Sequence, residues 1–307
     1  MYGKIIKGSI TNEIIREKKL MDKLGVKKVS KKSGFIIFLL IILAVGVVFF
    51  GINFSKKQQE QLMSVAEQTD QKTEAVTQED VSTQVAGYEE SRGELSVIDY
   101  LKYVSLLKDE VSISFYGDIA QEEQWVSEID TYINDQVGST MKVNRLPYTD
   151  YNSYQLISEN KVTDLAQTNP DVVFFQLTPY ADQELDIALA DSSDYLAMNY
   201  AAIKDVLPES LIVFVSPNPS SSEKGNNNSR TLDYTSYLNE MVLTVESNEW
   251  IGFNLHDSYL EKLEADGISL ESTLTENGKS LNGEGTAVYR ALFEEALNQK
   301  RDTTSGI

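Results

Sequence analysis

Apolar residues are distributed along this chain in three successive patterns. Residues 34–54, GFIIFLLIILAVGVVFFGINF, contain no charged side chain. Roughly 20 residues at about 1.5 Å rise each span a hydrocarbon layer of about 30 Å, so a single membrane-spanning helix is expected over 33–54. Residues 55–94 are rich in Gln, Glu, Thr, Ser and Val and poor in aromatics. That composition suits a polar stalk, helical in stretches such as 58–67 or disordered, with no heptad that persists as a coiled coil.

From Leu95 the pattern is that of a folded domain, assigned to 95–300 and followed by a short tail at 301–307. Val97, Ile98, Leu101, Val104 and Leu107 recur at helical spacing over 96–108. Strands are expected at 111–116, 141–146, 171–177, 211–216 and 250–255. Helices are expected between and after them at 121–135, 154–167, 195–206, 231–247 and 285–299. Strands alternating with helices imply a mostly parallel five-stranded sheet in a three-layer α/β/α sandwich. The short apolar runs VVFFQL and LIVFVS suit a sheet covered on both faces. Residues 223–230, EKGNNNSR, read as a mobile polar loop near the strand ends.

Charge divides the chain at the apolar run. Residues 1–32 hold ten Lys or Arg against three acidic residues, and residues 55–307 hold seventeen against forty-four. Lys27, Lys28, Lys31 and Lys32 directly precede the run, so the positive-inside rule places 1–32 in the cytoplasm and the domain outside. The alternative is a cleaved signal peptide. Against it stand the long basic segment, the long apolar run and the absence of a small-residue cleavage site. Residues 1–32 read either as a topology signal with an unstructured tail or as a short amphipathic helix on the inner leaflet. The net charge of -20 weighs against a nucleic-acid partner, and none is expected, since phosphate binding needs a basic surface. The absence of cysteine removes disulfides, thiolate nucleophiles and thiolate metal ligands. No cofactor and no metal is expected.

The stretch on which the domain turns is Val111 to Trp125, VSISFYGDIAQEEQW. Val111, Ile113 and Phe115 alternate with Ser112, Ser114 and Tyr116, which reads as a strand, and the serines suit the second face of a buried one. Gly117 and Asp118 end it, and a helix follows. Here the sequence resembles the SGNH, or GDSL-like, hydrolase family, whose first motif is a strand followed by Gly-Asp-Ser. Gly117 and Asp118 match, and Ile119 stands where the resemblance places the nucleophilic serine.

The resemblance covers roughly 111–297 and implies that fold, with oxyanion donors and an Asp-x-x-His pair further on. The segment after the second strand, Leu146 to Asp150, has no glycine to donate an amide. The segment after the third, Gln176 to Asp182, has neither the glycine nor the asparagine of the third motif. Before the last helix, Asn277 falls at the acid position and Ser280 at the histidine position, with Leu281, Asn282 and Gly285 keeping the frame. An amide cannot hold negative charge opposite an imidazolium, and an unactivated hydroxyl is no base near neutral pH.

The one histidine, His256, lies beside Asp257 at the end of the fifth strand. It is expected to be an ordinary rim residue, because neighbours on an extended chain point to opposite faces. A catalytic role for it is the alternative. Tyr116, Asp118, Tyr148, Tyr151, Tyr154, Tyr180 and Asp182 are candidates for a ligand cleft on the same rim, where aromatic faces and carboxylates suit a sugar chain. Asp118 and Asp182 could also flank a glycosidic bond or hold a divalent cation. The combined expectation is a non-catalytic, membrane-anchored binding or scaffold protein. By the resemblance, its ligand would be a cell-envelope glycan or its partners membrane proteins of envelope polysaccharide assembly. The alternative is an active extracytoplasmic esterase or O-acyltransferase with displaced catalytic groups. An anchored, acidic, cysteine-free ectodomain suits the surface of a bacterium with one membrane.

Overall fold

The computed structural model describes residues 78–307. The basic tail, the expected membrane span at 33–54 and most of the stalk lie outside them. Among the described residues no helix is long and apolar enough to cross a membrane.

The expected strands form. They are β1 (Glu110–Gly117), β2 (Thr140–Pro147), β3 (Val172–Gln176), β4 (Leu211–Val215) and β5 (Ile251–Phe253). All neighbours pair in parallel, in the order β2-β1-β3-β4-β5. The helices are α1 (Gln78–Glu90), α2 (Val97–Leu107), α3 (Gln124–Val137), α4 (Ser153–Ser158), α5 (Val162–Thr168), α6 (Pro179–Glu184), α7 (Leu189–Val206), α8 (Tyr234–Ser247), α9 (Leu255–Asp266) and α10 (Gly283–Asn298).

Strand alternation sends side chains into two apolar layers. Ile113, Phe115, Phe174, Val213 and Phe253 pack with residues of α2, α3, α9 and α10 on one face. Tyr116, Val173, Phe175, Ile212 and Phe214 pack with α4, α5, α7 and α8 on the other. Burial on both faces explains why β3 and β4 are continuous apolar runs. The two serines of β1 do take the second face. Ser114 Oγ lies 2.8 Å from Thr168 Oγ1, and Asn144 Nδ2 reaches Ser112 Oγ at 3.2 Å. These contacts satisfy hydroxyls that would otherwise be costly to bury.

The structure corrects several boundaries. The single helix expected at 154–167 is two, because Asn160 takes a left-handed conformation (φ 53°) between them. Two helices were not expected, α6 and α9. Pro179 opens α6, where a missing N–H costs nothing, and Asn254 caps α9 by accepting the Asp257 N–H. The folded unit also begins upstream of Leu95. Val85 and Tyr88 of α1 pack against the core, and the Tyr88 and Tyr103 rings are 6.1 Å apart. The last residues lie on the domain. Arg301 and Leu95 form an antiparallel bridge, and Thr303, fully buried, donates through its N–H and hydroxyl to the Arg92 carbonyl.

Candidate functional site

The sheet order places a crevice at the carboxyl ends of β1 and β3, where successive connections leave in opposite directions. Open α/β sheets bind ligands at such a point. Gly117 has φ +111°, and a Cβ on it would lie 2.5 Å from the Gln176 carbonyl oxygen. Only glycine lets the two strand ends approach this closely. The Gly117 carbonyl accepts the N–H groups of Ile119 (2.8 Å) and Tyr148 (2.9 Å). Gln176 Nε2 donates to the Asp118 carbonyl at 2.8 Å, and Thr149 Oγ1 donates to the Ile119 carbonyl at 2.9 Å. The crevice is therefore bridged by protein hydrogen bonds.

Ile119 occupies the position after Gly-Asp and is 3 % exposed, within the apolar layer of α2, α3, α9 and α10. It brings no polar atom to the rim. Asp118 is half-buried, and its Oδ1 accepts the Asp150 N–H at 2.8 Å. Burial pushes its carboxyl up to about 6, while the Asp150 N–H and the charge of Lys279 pull the other way.

The segment from Asn277 to Ser280 is a turn. Asn277 Oδ1 accepts from the backbone N–H groups of Lys279 (2.8 Å) and Ser280 (2.9 Å) and from Thr275 Oγ1 (2.9 Å), and Asn277 Nδ2 donates to Ser280 Oγ at 3.1 Å. The two residues thus meet, but as an Asx turn whose hydrogen bonds fix its shape. Gly278, at φ +66°, presents its carbonyl to Ser221 N–H and Ser220 Oγ. Asn218 Nδ2 donates to the Lys279 carbonyl at 2.8 Å. These bonds clamp the turn onto the segment that follows β4.

His256 departs from expectation. β5 ends at Phe253 and α9 begins at Leu255, so His256 and Asp257 sit in the first turn of a helix rather than on an extended chain. Their side chains consequently meet, with Nδ1 2.9 Å from Asp257 Oδ1. The imidazole is also no rim residue. It is 4 % exposed, with Nε2 3.1 Å from the Tyr234 hydroxyl, and its backbone N–H donates to Ser216 Oγ at 2.8 Å. Burial pushes the imidazole pKa below its ordinary value, against the pull of Asp257. The neutral tautomer that satisfies both contacts carries the proton on Nδ1 and accepts the Tyr234 O–H on Nε2. Among the described residues no serine or threonine hydroxyl is bonded to the ring.

The predicted cleft residues do not share one surface. Tyr116 is fully buried between Tyr148 and Phe175, with its hydroxyl unpartnered. Asp182 has no exposed surface; it accepts Ser153 N–H (2.7 Å), Ser153 Oγ (2.7 Å), Ser192 Oγ (2.5 Å) and Thr178 Oγ1 (3.2 Å). Burial pushes its carboxyl up, against those four bonds. Asp182 is therefore a knot joining α4, α6 and α7, and it cannot pair with Asp118 across a ligand. Lys161 Nζ lies over the rings of Tyr148 (5.4 Å) and Tyr151 (5.2 Å). Tyr154, 49 % exposed, lies with its ring 5.2 Å from that of Tyr195 in a tilted contact. Among the described residues no three acidic or histidine side chains converge where a metal ion could sit.

Tyr180 does reach the rim. One face stacks on Tyr234 at 4.5 Å, Lys279 Nζ lies 4.9 Å from its centroid, and its hydroxyl donates to the Asn218 carbonyl. Beside it opens a cavity of about 320 Å³ walled by Tyr180, Glu184, Glu223, Asn226 and Lys279. The polar loop at 223–230 forms one wall and is tied down, since Gln183 Nε2 donates to the Asn226 carbonyl and Asn228 Nδ2 to Tyr237. Carboxylates, amides and an ammonium around an aromatic ring can bind hydroxyl-rich ligands. Sequence reasoning missed Tyr234, Gln176, Asn218 and Lys279. Lys279 sits inside the frame of the last motif, and Pro217 with Pro219 marked the turn that carries Asn218; nothing local marked Tyr234 or Gln176.

No protein-family model and no curated protein matches the chain. Its structural neighbours are GDSL-like lipases and carbohydrate esterases at low identity. A GDSL-like lipase from Parabacteroides merdae is 13 % identical, with TM-score 0.49 over 62 % of this chain and 96 % of its own. An acetyl xylan esterase is 14 % identical, with TM-score 0.47 over 61 % and 99 %. A carbohydrate esterase of family 3 from Talaromyces cellulolyticus is 14 % identical, with TM-score 0.48 over 61 % and 96 %.

Proposed function

We propose that this chain is a non-catalytic binding or scaffold protein of cell-envelope polysaccharide assembly, anchored by residues 33–54 with its domain outside the membrane. The observation that carries the reading is Ile119, packed inward where a hydrolase of this design needs its nucleophile. The rest of the rim supports it. The turn at Asn277 to Ser280 uses its side chains on its own backbone, and the crevice between β1 and β3 is bridged by Gln176. The cavity beside Tyr180 is the binding site in this reading, with Glu184 and Glu223 accepting from ligand hydroxyls and Lys279 donating.

The alternative is an active esterase or O-acyltransferase with displaced groups, and it draws on one observation. Asp257, His256 and the Tyr234 hydroxyl form an acid-imidazole-hydroxyl chain. The geometry weighs against it: Tyr234 is 1 % exposed, its hydroxyl also accepts the Ser220 N–H, and burial raises its pKa. The imidazole could serve this hydroxyl as a base, but a phenol enclosed on all sides has no path to a substrate carbonyl.

The test is affinity isolation of the full chain from detergent-solubilised membranes beside a variant lacking residues 1–54, with identification of bound carbohydrate and protein. Envelope glycan or its assembly enzymes on the full chain is the expected result. Empty lanes from both would overturn the scaffold reading. Turnover of acetylated glycan by the purified chain would favour the esterase.

A further inference from the structure

β5 is an edge strand. It pairs with β4 on one side, and among the described residues no strand covers the other. Ser216 N–H donates to the Phe253 carbonyl, so Phe253 turns its backbone toward β4. Successive residues of a strand send their N–H and C=O to opposite sides, and Gly252 therefore turns both outward. Unpaired groups of this kind are a template for another strand.

Two cavities that share lining residues lie along this edge. An inner chamber of about 150 Å³ is walled by Leu177, Phe214, Val242, Val245, Trp250 and Phe253. An outer groove of about 530 Å³ runs past Leu255, Ser258 and Leu292. Gly252, Phe253, Asn254, Glu246 and Arg301 line both, so Arg301 stands at the junction. Its guanidinium donates through Nη2 to Gln299 Oε1 at 2.7 Å, and among the described residues no carboxylate is paired with it. Burial also lowers its pKa, the mark of a cation whose environment does not repay desolvation. A guanidinium left in this state is a fork with its carboxylate missing.

We propose that the β5 edge captures the free C-terminal end of an extended partner polypeptide. The partner's α-carboxylate sits on Arg301, its last side chain, an apolar one, enters the chamber, and its backbone pairs with Gly252. Strand addition supplies main-chain hydrogen bonds, and the pocket and the charge supply specificity. Glu246, Glu261 and Glu295 on the groove outnumber Lys262, which is paired with Asp266, and favour basic residues upstream of that terminus. The site is separate from the cavity beside Tyr180, and the inference does not rest on the glycan reading.

Trp250 lines the chamber, so its emission reports occupancy. The full chain in detergent is titrated with acetyl-Lys-Ala-Lys-Ala-X peptides, X being Leu, Ile, Val or Phe, as free acids and as C-terminal amides. The expected result is a saturable change with at least one free acid, weakened tenfold or more by amidation and by Arg301→Gln. The amide comparison needs no variant, so a folding defect in Arg301→Gln cannot blur it. Equal response to acid and amide would overturn carboxylate capture, and no response to any of the four acids would overturn the site.

Discussion

Asp118 and Asp182 follow the ends of adjacent strands, β1 and β3, yet the fold uses them in opposite ways. Asp182 lies where the first turns of α4 and α7 and the start of α6 converge, and it collects an N–H and three hydroxyls. Asp118 collects one N–H, from Asp150, and remains half-buried at the rim. Burial disfavours the charge of both. The number of donors that neighbouring turns aim at each carboxylate decides whether it holds the structure together or stays available to a ligand.

Removing the knot is the strongest test of that difference. Asp182→Ala leaves three hydroxyls and one N–H without their acceptor, at about 1–3 kcal/mol for each buried group left unsatisfied. A loss on the order of 4 kcal/mol is expected in urea unfolding, with a smaller loss for Asp182→Asn, which keeps one acceptor oxygen. An Asp182→Ala protein as stable as the parent would remove the contrast altogether. His256→Ala comes next. It strips the acceptor from the Tyr234 hydroxyl and opens a void, and should cost about 2–3 kcal/mol. The near-UV signal of the Tyr180–Tyr234 stack should weaken in parallel.

The rim carboxylate should show the opposite sign. Asp118 has a folded pKa raised to about 6 from an ordinary 3.8. Between those values the native state holds more protons than the unfolded chain, so this group's contribution to stability falls as pH rises through the window and stays low above it. Asp118→Asn keeps the oxygen that accepts the Asp150 N–H. It should therefore stabilise at pH 7.5 by on the order of 1 kcal/mol, discounted for partial exposure. The gain should vanish at pH 4, and thermal melts at both pH values check it. His256 acts in the other direction. Its folded pKa is depressed below 6.5, so its contribution is present above that pH and is lost as pH falls through the folded pKa. The Asp118→Asn difference, taken at each pH, separates the two.

The smallest effect is the most specific. Ile119→Ser restores a hydroxyl to the position after Gly-Asp, but the one imidazole is engaged by Tyr234 and Asp257 and no oxyanion asparagine follows β3. Hydrolysis of p-nitrophenyl acetate by the folded variant should equal the parent's background. A gain of tenfold or more would show that a base is within reach of residue 119 after all.

The sequence was legible where burial is periodic. The five strands, the three layers and most helices followed from alternation and helical spacing, because a sheet covered on both faces admits apolar residues at nearly every position. Gly117 was legible as a strand stop, and its need for a positive φ is met. The misreadings share a cause. α9 begins on a cap at Asn254 directly after β5, and a three-residue strand leaves too little pattern to show where extension ends. That one boundary turned His256 and Asp257 from opposed neighbours into a bonded pair.

By itself, then, the sequence determined the parallel sheet, the absence of serine at 119 and of histidine at 280 and the opposite charges flanking the apolar run, all of which depend on residue identity and spacing. Only the tertiary structure decided which polar groups share a place. Tyr234 meets His256, Asp182 gathers Ser153 and Ser192, and Arg301 arrives at the edge of β5 through contacts between distant segments. Local patterning specifies the face a residue takes; the donors and acceptors it meets there come from whichever loops the packed layers bring alongside.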